Sequence, residues 1–229
     1  AGVWSEESDW VTIASPYETG CDNNRGGAWD VSADGKVVVG SFWNGCTTEG
    51  FRWTDASGAG VTSPLQILGT SNSEGRGPVN RPTVVSDDGR IAAGFAENAP
   101  LDRSPAIWNA DGSGFLLNPD ERDAPGEVLT ISPDGKMVAG TSGQVGFYWT
   151  QAQGMVFIGV PPEGIAGDPT YVNAIAADGA LLFGVTGSPF FGTPQAFVWT
   201  EAAGARLLSN ILAANNVTLP EGYLLSGVF

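Results

Sequence analysis

The chain has 229 residues, enough for one sizeable core or two small ones, and combines 42% hydrophobic residues with 33 Gly, 15 Pro and 8 Trp, which suits a folded, turn-rich protein rather than a disordered chain or a helical bundle. Its 25 acidic residues against 10 basic ones leave a formal charge of −15, which opposes binding to nucleic-acid phosphate or an anionic membrane surface. Histidine is absent, so neither a Ser-His-Asp triad nor a histidine-containing metal site can be assembled.

In chain order, Gly2-Val-Trp-Ser and Trp10-Val-Thr-Ile13 read as two short strands. The two cysteines, Cys21 and Cys46, follow in polar, turn-rich surroundings. In an exported protein they are expected to pair, closing a 24-residue segment and stabilising the fold through the unfolded ensemble; two buried thiols are the alternative. No run of 18 apolar residues is present, so membrane insertion is not expected. Charge and the lack of a retained targeting segment favour an extracellular or periplasmic location.

Internal repetition organises the rest. Four segments share one pattern: Trp29-Asp-Val-Ser-Ala-Asp-Gly-Lys-Val-Val-Val-Gly40, Thr83-Val-Val-Ser-Asp-Asp-Gly-Arg-Ile-Ala-Ala-Gly94, Leu129-Thr-Ile-Ser-Pro-Asp-Gly-Lys-Met-Val-Ala-Gly140 and Asn173-Ala-Ile-Ala-Ala-Asp-Gly-Ala-Leu-Leu-Phe-Gly184. Their Asp-Gly pairs begin at Asp34, Asp88, Asp134 and Asp178, at spacings of 54, 46 and 44 residues. Each pair lies between β-prone runs, where Gly supplies the positive φ of a tight turn and Asp bonds to nearby backbone. Each is followed by an aromatic strand bearing Trp53, Trp108, Trp149 or Trp199, then by a turn and a further apolar run. A unit of about four strands cannot bury its own faces, so successive sheets must stack, and a β-propeller results. The units are expected over residues 28–68, 83–118, 128–159 and 172–208. Segments 1–13 and 222–229 read as the two parts of a split closing blade, giving an all-β propeller of five blades in a single domain or fragment.

The recurring Ser-x-Asp-Gly, short apolar run and Gly, followed by Phe-x-Trp-Thr and a Leu-rich strand, resembles the bacterial HAF repeat family. Ser132-Pro-Asp-Gly135 also resembles repeats of TolB-like propellers. The fourth unit carries Ala176 in place of Ser, and the second ends Trp108-Asn109 rather than Trp-Thr. The HAF resemblance implies a propeller placed outside the cell and brings no catalytic residue with it.

Regular recurrence marks Asp34, Asp88, Asp134 and Asp178 as turn formers and Trp53, Trp108, Trp149 and Trp199 as packing residues. Trp10 and Trp43 do not recur and are the candidate ligand-binding aromatics, since an aromatic face stacks on a sugar or an apolar partner. Asp22, Asn24 and Asp30, and separately Asp120 and Asp123 with Glu121 and Glu127, are the candidate oxygen ligands for Ca2+; no organic cofactor is expected. Residues 71–81 and 96–103 are candidate rim loops for recognition. The expected function is a secreted recognition or structural interaction module for an extracellular glycan or protein, of undetermined oligomeric state. The alternative is a glycosidase or polysaccharide lyase, for which no carboxylate pair stands out.

Overall fold

The structure is a computed structural model that describes residues 1–6, 9–15, 25–43, 47–55, 60–69, 79–99, 102–118, 124–188, 193–221 and 223–226, with backbone alone at residues 25, 98, 99 and 102. Four four-stranded antiparallel sheets follow one another along the chain. The first contains β3 (Arg25–Val31), β4 (Val37–Trp43), β5 (Thr48–Thr54) and β6 (Val61–Pro64); the second contains β7 (Asn80–Val85), β8 (Ala92–Ala99), β9 (Asp102–Trp108) and β10 (Gly114–Leu116). The third runs β11 (Gly126–Ile131), β12 (Met137–Ser142), β13 (Val145–Thr150), β14 (Gly154–Ile158), and the fourth β15 (Thr170–Ile175), β16 (Leu182–Thr186), β17 (Gln195–Thr200), β18 (Gly204–Leu207). Their first strands start earlier than the repeat pattern suggests, because the motif begins in mid-strand.

Ahead of these sheets, β1 (Gly2–Ser5) and β2 (Asp9–Thr12) form a two-stranded sheet, with Trp4 opposite Trp10. Ile13 N–H donates to Ala1 O at 3.0 Å, as Leu65 N–H donates to Gly50 O at 3.1 Å in the first full sheet. β1 and β2 therefore hold the third and fourth strand positions of a blade. The plan is an all-β, five-bladed propeller with a split blade. The strand pattern is broken by α1 (Leu208–Ala214), none of whose residues is buried.

By internal contacts the chain forms two units, Ala1–Val128 with Pro133–Gly135, and Leu129–Ser132 with Lys136–Phe229. Within the first, Ile13, Val38, Phe42, Phe51 and Trp53 pack the β1–β2 sheet against the first full sheet. Val37, Val39, Leu65, Val85, Ala92 and Trp108 join the first sheet to the second. In the other unit, Ala139, Tyr148 and Ile158 meet Val172, Leu182 and Phe197. Each sheet buries a face only against its neighbour, as repeat architectures require.

The Asp-Gly turns are nearly superposable in chemistry. Gly35, Gly89, Gly135 and Gly179 have φ of 71°, 69°, 69° and 72°. Asp34 Oδ1 accepts from Ser32 Oγ and Lys36 N–H, and Asp88 Oδ1 accepts from Ser86 Oγ and Arg90 N–H. Ala176 removes the hydroxyl from the fourth turn, and Asp178 there receives Ala180 N–H. The glycine that ends each motif has a different task. A Cβ on Gly40 would run into Gly27 O and the Phe51 ring, and one on Gly184 into Tyr171 O and the Phe197 ring. A bulge in the first strand, at Trp29 in β3 and Asn173 in β15, accompanies this close approach.

A second device ties consecutive blades. Gly146 and Ile158 are cross-strand partners, yet Gly146 N–H donates to Thr170 Oγ1 at 2.6 Å and that hydroxyl donates to Ile158 O at 3.1 Å. The first residue of β15 is thus inserted into the ladder of the preceding sheet. Asn80, fully buried at the start of β7, takes Gly50 N–H on Oδ1 at 2.9 Å and donates from Nδ2 to Gln66 O at 3.3 Å. At the matching place in β9 stands Pro105, which has no N–H to satisfy, and β11 begins with Gly126, which has no side-chain acceptor. In the fourth sheet Ala196 N–H donates to Leu225 O at 2.9 Å.

The expected Cys21–Cys46 disulfide is absent: the two cysteines are not at bonding distance, and a disulfide tolerates little departure from its geometry. Both cysteines lie outside the described residues.

Candidate functional site

The bulge in β3 places one residue outside the ladder. Ala28 pairs with Gly40 and Asp30 with Val39, leaving Trp29 without a cross-strand partner. Bulges re-aim a side chain in this way. Trp29 Nε1 donates to Ser41 Oγ at 3.1 Å, and the Arg81 guanidinium lies 4.7 Å from the centre of the indole ring. Arg81 is held in turn by Glu127 at 3.4 Å, a carboxylate shared with Arg103 at 3.2 Å, and both guanidiniums stack on Phe95 at 4.7 and 4.4 Å. Burial lowers the Arg81 pKa while Glu127 raises it. Cation–π contact, ion pairing and the indole hydrogen bond fix the ring before any ligand arrives.

Trp29 nevertheless stays 50% exposed. With Trp4, 59% exposed, it lines a cleft of about 630 Å³ between β1 and the β3–β4 hairpin. Gly2, Val3, Ala28, Val31 and Val38 supply the remaining apolar wall, and Asp30, Asp34, Asp55 and Lys36 the polar one. Trp4 occupies the third-strand position at which Trp53 and Trp108 are buried, and it is exposed where β1, among the described residues, pairs with β2 alone. The volume falls in the usual range for small-ligand clefts.

Asp30 engages both carboxylate oxygens, and Asp34 its Oδ1. Asp30 takes Val31 N–H on Oδ1 and Val85 N–H on Oδ2, both at 2.8 Å. Hydrogen bonds from Ser32 and the Lys36 backbone hold the Asp34 carboxyl below the ordinary range, which keeps it ionised. Outside the cleft, burial raises the Glu97 carboxyl, and its Oε2 is buried without a hydrogen-bond partner.

Of the aromatics singled out in the sequence, Trp10 is 64% exposed, with its ring over Gly2, and Trp43 is 40% exposed at the end of β4. Neither lines the cleft. Trp53 and Trp108 are buried in the cores, whereas Trp149 and Trp199 are half-buried. Among the proposed Ca2+ ligands, Asp22, Asn24, Asp120 and Asp123 lie outside the described residues. Asp30 uses its oxygens on backbone N–H groups, and Glu127 pairs with two arginines. Among the described residues no group of three or more potential ligands gathers. The sequence reading missed Trp4, which matched the repeated packing tryptophan, and Trp29, although no other unit has an aromatic at that place.

No protein-family model matches the chain, and no curated protein does. Solved structures do. TolB from Acinetobacter baumannii is similar over 81% of this chain and 43% of its own, at 12% identity and a TM-score of 0.50. A putative TolB from Agrobacterium tumefaciens is similar over 81% of this chain and 62% of its own, at 16% identity and a TM-score of 0.52. A prolyl endopeptidase is similar over 89% of this chain and 31% of its own, at 14% identity and a TM-score of 0.57. The chain thus spans less than two thirds of the length of each of these proteins. The likeness shows a shared propeller fold, while membership of the HAF repeat family is without a matching family model.

Proposed function

We propose that the chain is an exported, HAF-like propeller module that recognises an extracellular glycan or protein in the Trp4–Trp29 cleft. One observation carries the reading: two tryptophans at least half exposed line a cleft of ligand size, and one of them is braced by Ser41 and Arg81. Large aromatic surface left in water at a concave site, with its rotamer already fixed, serves binding by stacking at little ordering cost. Glycosidase or lyase activity draws no support from the cleft: the Asp30 oxygens are engaged by backbone N–H groups, and the hydrogen bonds that lower the Asp34 carboxyl disfavour it as a proton donor.

Calorimetric titration with neutral and acidic oligosaccharides and with extended peptides tests this. Binding without turnover is expected, with Trp29→Ala weakening it at least tenfold and Trp43→Ala leaving it unchanged. Undiminished binding by Trp29→Ala would refute the cleft as the site.

A further inference from the structure

The cleft lies where a complete blade would continue. In each full sheet the third strand has a neighbour on both sides, whereas β1 is paired only with β2 among the described residues. The register assigns its backbone groups. Ile13 N–H donates to Ala1 O, and alternation along an antiparallel pair makes Val3 and Val11 the next bonded pair, so Gly2 and Trp4 direct their N–H and C=O groups to the opposite edge. That edge borders the cleft, because Gly2, Val3, Trp4 and Ser5 are all among its lining residues. An open edge is a template for an added strand.

The charge around this edge selects the occupant. Asp30, Asp34 and Asp55 face the cleft against a single cation, Lys36, and the nearby Arg81 is matched by Glu127. We propose that the β1 edge binds an extended, basic segment of a partner polypeptide as an added strand, its backbone bonded to Gly2 and Trp4, its apolar side chains against Trp4 and Trp29, and its Lys or Arg side chains toward the three aspartates. The main chain supplies affinity and alternate side chains supply selection, as in strand addition generally. This rests on the cleft being the recognition site and specifies the ligand it takes.

The test varies the probe and leaves the protein intact. A capped peptide of alternating lysine and valine, nine residues long, is titrated into the protein while its amide exchange is followed by NMR. Saturable binding is expected, with exchange at Gly2 and Trp4 slowed at least tenfold. N-methylation of alternate residues on one edge of the peptide should weaken binding at least tenfold, methylation on the other edge should change it little, and a glutamate-valine peptide should not bind. Raising salt from 50 to 500 mM should weaken binding severalfold, as charge attraction is screened. Equal binding by both N-methylated peptides would overturn strand addition, as would tight binding of the glutamate-valine peptide. Tighter binding of a peptide matching residues 222–229 would overturn the basic partner and give the edge to this chain's own sequence. Oligosaccharide binding abolished by Trp29→Ala, with no peptide binding, would keep the recognition reading and discard the strand. Failure of every ligand would discard both.

Discussion

Replacing Thr170 by valine preserves shape and adds apolar surface, so hydrophobicity alone makes the change harmless. The structure makes it costly. The Thr170 hydroxyl relays Gly146 N–H, at 2.6 Å, to Ile158 O, at 3.1 Å, and the residue is 1% exposed. Without it, two buried backbone groups lose a partner, at about 1–3 kcal/mol each, offset by about 0.8 kcal/mol from the additional buried carbon. The expected loss is about 2–4 kcal/mol. Thr170→Ser keeps the relay and removes only a methyl group, at about 1 kcal/mol. Urea denaturation of the wild type and both variants gives the ranking, and exchange of the Gly146 amide reports the site directly. If valine proves no more harmful than serine, Gly146 and Ile158 have closed a direct ladder bond and the relay is dispensable.

Gly184→Ala should lower stability by about 1–3 kcal/mol in urea denaturation through overpacking, because its Cβ would meet Tyr171 O and the Phe197 ring. Gly159→Ala, with nothing near its Cβ, should stay within about 0.5 kcal/mol of wild type. Hydrogen bonds lower the Asp88 carboxyl, chiefly that from the Arg90 backbone, as those from Ser32 and Lys36 lower Asp34. Their stabilisation is present above the unfolded pKa of about 4 and is lost as pH falls through the lower folded values, so urea midpoints from pH 6 to 2.5 should fall less steeply in an Asp34→Asn, Asp88→Asn variant. Glu97 has the opposite sign: burial raises its pKa, so its ionisation disfavours folding as pH rises through the folded value. Glu97→Gln should stabilise at pH 7 more than at pH 4. Arg81→Met removes the cation from the Trp29 ring and should weaken any ligand that Trp29→Ala weakens, with a smaller loss for Arg81→Lys; equal losses would show that charge near the ring is irrelevant.

The blades were legible because their turns demand particular residues. Only Gly accepts the φ near +70° of Gly35 or Gly89 at no steric cost, and Asp before it closes the turn, so the pattern survives among variable neighbours. The relay between blades was not legible, because Asn80, Thr170 and the backbone of Leu225 perform one task with different chemistry. The paired absences at Pro105 and Gly126 conceal it further. Trp4 misled for a physical reason: its local sequence matches a buried tryptophan, and its exposure depends on which strands flank it. Trp29 could have been found by asking which first-strand position changes character between units, where Thr83, Leu129 and Asn173 stand in the others. Cys21 and Cys46 invited a disulfide from composition and surroundings, which say nothing of distance.

The bulge in β3 recurs in β7 and β15, leaving Trp29, Thr83 and Asn173 outside the ladder at the same place in their sheets. Such a position is released from the side-chain alternation that constrains its neighbours, so its identity can drift or be rewritten while the sheet is kept. In the first sheet that freedom presents an indole to solvent; in the second, the Thr83 hydroxyl reaches Val128 O at 2.8 Å. A sheet built this way carries one variable letter, and such letters give evolution, or an engineer, positions to edit without refolding the scaffold.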